Sequence, residues 1–141
     1  MTDTKIVSKF VQAVTDAIPL MHRMLYIDRS ITDINVKDRT HGRTALHWQA
    51  YYGTTWSVAW LLRQDPPPDV NVLDSDQCTP LIHAACTDNP EGKVRLLLDH
   101  GADRDLKSKK GHTALYWARW HNKKPAAVID MLENYRPDVS R

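Results

Sequence analysis

Thr79-Pro80-Leu81-Ile82-His83-Ala84-Ala85, then Val94-Arg95-Leu96-Leu97-Leu98, then Gly101-Ala102-Asp103 decide the fold of this chain of 141 residues, because close variants of these pieces return at a fixed interval. Thr44-Ala45-Leu46-His47-Trp48 begins 35 residues before Thr79, and Thr113-Ala114-Leu115-Tyr116-Trp117-Ala118 begins 34 residues after it. In step with them run Val58-x-x-Leu61-Leu62, Val94-x-x-Leu97-Leu98 and Val128-x-x-Met131-Leu132, which follow their threonines by 14, 15 and 15 residues. Apolar residues at that spacing share one helix face. Each unit therefore holds two short helices, and the chain is predicted to be all-α.

Asp33-Ile34-Asn35-Val36, Asp69-Val70-Asn71-Val72 and Gly101-Ala102-Asp103-Arg104-Asp105-Leu106 separate the units and read as turns. Each threonine is placed to cap a first helix, its hydroxyl accepting from amides that a helix N-terminus leaves free. Pro80 fits in the first turn, where its missing N–H had no partner to lose. Gly101 suits the left-handed residue that closes a second helix.

These pieces, in this order and at this period, resemble the ankyrin repeat. The resemblance covers residues 36 to about 135 and implies a solenoid of stacked helix-turn-helix units joined by β-hairpin-like turns. One domain over residues 1–141 is expected, made of an N-terminal capping repeat (1–35), two further repeats (36–71 and 72–106) and a C-terminal capping repeat with its tail (107–141). In the first unit Ile6, Val7, Phe10, Val11 and Val14 are expected on the inner helix and Met21-x-x-Met24-Leu25 on the outer one. Three places depart from the family pattern. Pro66-Pro67-Pro68 predicts a stiff, protruding loop. Gln77 stands where the hairpin normally carries glycine, which implies strain or another turn type. Asp88-Asn89-Pro90-Glu91-Gly92 replaces a tight glycine turn.

Composition leaves the partner open. Hydrophobic residues make up 42% and charged residues 26%, which fits a packed domain, and a net charge of +2 demands neither nucleic acid nor an anionic membrane. Two cysteines are too few for a disulfide framework. With no secretory leader pattern and no run of eighteen apolar residues, a monomer in the cytoplasm or nucleus is expected. No phosphate loop, nucleophile elbow or metalloprotease helix is present, so no catalytic residue and no cofactor is expected. His83, Cys86 and Cys78 lack a fourth ligand at metal-binding spacing, and no metal is expected either. The resemblance implies that His47 bridges turn backbones, and it makes Asn35 and Asn71 candidates for the hydroxylation known in this family.

Stacked repeats offer an extended face to a macromolecule. In proteins similar to this one, hairpin tips and the ends of first helices make the contacts. The resemblance therefore implies partner contacts at Thr40, His41 and Arg43, at Asp76, and at Lys109, Lys110 and His112 on the tips. The helix ends give Tyr51 and Tyr52, Cys86, and Trp120 and His121. Tyr51, Tyr52 and Trp120 are the expected anchors, since tyrosine and tryptophan dominate many binding energies. Trp48 and Trp117 fit better as packing between repeats, and Trp60 as core. The expected function is a module that binds a partner protein as adaptor or as inhibitor by occupancy. The alternative is electrostatic binding of nucleic acid or anionic phospholipid through the fourth hairpin, where Lys107, Lys109 and Lys110 gather.

Overall fold

The computed structural model describes residues 4–11, 24, 29–121 and 126–136. Among the described residues seven α-helices run in chain order: α1 (Thr4–Val11), α2 (Ala45–Tyr52), α3 (Thr55–Leu62), α4 (Pro80–Ala85), α5 (Glu91–Asp99), α6 (Ala114–Trp120) and α7 (Ala126–Asn134). There is no strand among the described residues. Helices of six to nine residues are too short to be stable alone, so packing must hold them. First helices form one row, α1 on α2 on α4 on α6, and second helices form another, α3 on α5 on α7.

The repeated apolar positions fill the space between the rows. Leu46, Leu81 and Ala114 contribute from the first helices, and Val58, Leu61, Val94, Leu97, Val128 and Leu132 from the second, all buried in one cluster. Val7, Val11 and Met24 extend that cluster into the first unit. Val14, Met21 and Leu25, also expected there, lie outside the described residues, as does the side chain of Phe10.

Caps start the helices as the threonine pattern predicts. Thr44, Thr79 and Thr113 each accept an amide N–H three residues on, at 3.4, 3.2 and 3.2 Å. Thr54 does the same for α3 from the Ser57 amide at 3.2 Å, a cap the sequence reading missed. Each is worth about 1 kcal/mol. Gly101 has φ 94° after α5, the left-handed value foreseen for it. Pro66 and Pro67 are exposed but Pro68 is buried, so that loop protrudes only in part.

Gln49 breaks the pattern. Its place on α2 corresponds to Ala84 on α4 and Ala118 on α6, and it is fully buried with neither heteroatom of its amide hydrogen-bonded among the described residues. A buried polar group without a partner costs roughly 1–3 kcal/mol. Gln49→Met, which keeps the volume and removes the amide, is expected to raise the urea midpoint by an amount equivalent to about 1–3 kcal/mol. A lower midpoint would show that the amide is satisfied and useful where it stands.

Candidate functional site

The turns that precede the first helices are built around side chains that bind their own backbone. Asp74 is the fullest case. Its Oδ1 accepts from the Asp76 and Cys78 amides, both at 2.9 Å, and its main chain closes the loop through the Cys78 carbonyl at 3.0 Å. Its Oδ2 accepts from His83 Nε2 at 2.8 Å and from Arg43 Nε at 3.2 Å. Burial alone would raise the Asp74 pKa, but His83, the Cys78 amide and Arg43 outweigh it and hold the carboxyl well below the usual range. This loop fixes Gln77 at φ 59°, so the positive angle is present and four hydrogen bonds across the turn hold it there.

His47 joins this loop to the neighbouring repeat. Its Nδ1 accepts the Thr44 amide at 3.1 Å and its Nε2 donates to the Cys78 carbonyl at 2.9 Å, which fixes the neutral tautomer. Burial is the main reason its pKa falls to about 4. His47, Asp74 and His83 bring ligand-type atoms within 4.8 Å of one another. Arg43 occupies the same carboxylate, and His47 Nε2 is committed to a carbonyl, so the trio acts as a hydrogen-bonded brace between turns.

Asparagines brace the opposite ends of the units. Asn35 Oδ1 accepts the Asp69 amide and Asn71 Oδ1 the Asp103 amide, each at 2.7 Å. The turns are thus tied in series, one repeat to the next.

On this frame the ends of the first helices enclose an open groove of about 500 Å³ lined by Tyr51, Cys78, Ile82, His83, Cys86, Trp117, Trp120 and His121. Tyr51 closes α2 and Trp120 closes α6, while the intervening unit offers the small Cys86. Large residues on both sides of a small one leave the groove between them. Trp120 is 72% exposed and Tyr51 44%. Burial raises both thiols to about 11, so Cys78 and Cys86 line the groove as protonated, weakly polar groups.

Four residues expected at the partner surface, Tyr51, Cys86, Trp120 and His121, therefore meet in one groove. Asp76, Lys109 and Lys110 border a smaller depression beside it. The rest stand elsewhere. Tyr52 stacks on Trp48 with ring centres 5.6 Å apart and remains exposed, outside the groove lining. Thr40 and His41 bond to each other at 3.0 Å on the second tip. Arg43 is engaged by Asp74 and lies 5.1 Å over the Trp48 ring, and His112 stacks on Tyr116 at 3.8 Å. Trp48 and Trp117 pack against the core, as does Trp60. Sequence reasoning missed Asp74, although an aspartate opening a turn is a readable signal for side-chain-to-backbone bonds.

A family model described as ankyrin repeats in three copies matches residues 12–107 and 50–140. The chain belongs to the ankyrin-repeat family. Ankyrin repeats generally mediate protein–protein interaction, and the family is typically non-enzymatic. The E3 ubiquitin-protein ligase hecd-1 of Caenorhabditis elegans is 34% identical over 93 residues, 66% of this chain. The chain spans 3% of that protein's length, so the likeness is confined to the repeats. None of the described helices of this ankyrin-repeat chain is long and apolar enough to cross a membrane.

Proposed function

We propose that this ankyrin-repeat chain binds a partner protein through the groove between Tyr51 and Trp120 and acts by occupancy, covering a surface the partner needs elsewhere. The observation that carries this is a large indole and a phenol held open to solvent at the two sides of one apolar groove. Exposed aromatic surface beside a cavity is what interface anchors offer, because each ring buries much area at small entropic cost. The brace of His47, Asp74 and His83 reaches the groove at His83, which is part of its wall, and holding that wall in place reduces the cost of ordering on binding. An adaptor role uses the same groove with a second surface added.

Alanine at Tyr51, Tyr52 and Trp120 together is expected to weaken capture of the native partner by at least about tenfold, on the scale of anchor residues at interfaces. Far-ultraviolet circular dichroism should stay unchanged, since all three side chains are exposed. Undiminished capture by the folded triple variant would refute the assignment of this face.

A further inference from the structure

The groove does not end at Trp117. A second depression of about 250 Å³ lies between the third and fourth hairpins, lined by Asp76, Cys78, Ser108, Lys109, Lys110 and Trp117. It shares Cys78 and Trp117 with the larger one, so the two adjoin, and a path from one to the other runs past these side chains. The hairpins that border it are fixed by backbone. The Lys109 amide donates to the Asp76 carbonyl at 2.8 Å, and the fourth tip closes through Gly111 to Ser108 at 2.8 Å and Ser108 to His112 at 2.9 Å.

Chemistry changes along that path. The larger groove presents indole, phenol, thiol and isoleucine surface, and the smaller presents two exposed ammonium groups. Two nearby cations are already engaged, Arg43 with Asp74 and Arg119 with Glu133. Lys109 and Lys110 have no ion pair among the described residues, and Asp76 is the one carboxylate that lines their depression with them. The charge there is net positive, beside an apolar trough. Even with the exposed Lys107 of the same hairpin, three lysines beside a carboxylate are few cations for a polyanion, whose binding draws on many phosphate contacts.

Resting on the reading of this face as a protein-binding surface, we infer that its occupant is an extended peptide segment of two-part chemistry. One large apolar side chain seats between Tyr51 and Trp120, and an acidic residue further along the same extended segment lies on Lys109 and Lys110 in the adjoining cavity. The apolar part supplies most of the area, and the acid sets direction and register along the path.

Selection of a displayed library of random twelve-residue peptides on the immobilised full chain tests this. Peptides that pair a large apolar residue with a nearby Asp or Glu are the expected result. Exchanging that acid for lysine should weaken binding tenfold or more on the natural chain, and the exchanged peptide should regain affinity for the chain carrying Lys109→Glu and Lys110→Glu. Trp120→Ala should weaken all of them. Selected peptides that depend on Trp120 but are indifferent to the acid and to both lysines would overturn this occupant and leave the groove reading standing. Peptides indifferent to Trp120 and the lysines alike, or no enrichment at all, would overturn both.

Discussion

Asp74→Ala is expected to destabilise the fold by about 3–5 kcal/mol, the cost seen when one partner of a buried, charged hydrogen-bonded group is removed. The reason is the number of donors that lose their acceptor together. Two amides of the third hairpin, the Arg43 guanidinium and the His83 imidazole all point at this one carboxylate, whose side chain is 1% exposed. Left in place without it, each bears its own desolvation cost. Thermal melting should fall by roughly 10 °C or more for a domain of this size. Asp74→Asn keeps an oxygen for the two amides and loses the charge, so it should lie between the natural chain and Asp74→Ala. Equal urea midpoints for the natural chain and the alanine variant would mean that the hairpin holds without its central acceptor, and the brace would then not support the groove. The effect should reach the binding face, because the same hairpin carries Cys78, which lines both cavities, and Asp76, which holds Lys109.

The repeat and its helices were legible in the sequence because they depend on short-range rules. Thr79, Pro80, Leu81 and Ala85 each do one local thing, cap, start or pack, and the period copies it along the chain. The partner-facing residues were legible in part. Tyr51, Cys86 and Trp120 sit at equivalent ends of successive first helices, so stacking had to bring them side by side. What spacing within one repeat cannot show is a contact between turns of different repeats. Asp74 reaches back 31 positions to Arg43, and it converts an expected surface arginine into part of the brace. Tyr52 illustrates the other loss: one position from Tyr51, it leaves the helix about 100 degrees further round, stacks on Trp48 and touches the Tyr51 ring edge-on at 4.7 Å, outside the groove lining. Gln49 was silent for a third reason. A glutamine on a helix is read as exposed, and only the stacking of neighbours at the alanine positions buries it.

Acid should loosen this chain well before its carboxylates titrate, and His47 is the cause. The imidazole has a pKa of about 4 when folded against 6.5 when free, chiefly because burial disfavours the charged ring, and charging would also take the Nδ1 acceptor from the Thr44 amide. The unfolded chain therefore binds this proton first as pH falls. Between pH 6.5 and 4 it holds more protons than the folded chain, so folding stability declines across that window and the contribution is fully present only above it. Complete loss amounts to about 3 kcal/mol, and about 2 kcal/mol of it should disappear between pH 7 and pH 5. Asp74 acts in the opposite part of the scale: its carboxyl is held low, so its own contribution persists until pH falls below the ordinary carboxylate range near 3.8. The interval from pH 7 to pH 5 therefore isolates histidine. Urea unfolding at the two pH values, for the natural chain and for His47→Gln, reads the difference directly, since glutamine does not titrate there. The variant should be less stable at pH 7 and lose about 2 kcal/mol less on acidification. Parallel losses in both proteins would assign the proton to another histidine and separate the acid response from the His47 bond to the Cys78 carbonyl. In the folded chain the ring stays neutral down to about pH 4, so its bond to the Cys78 carbonyl persists over the same interval and the hairpin that lines both cavities keeps its geometry in the molecules that remain folded.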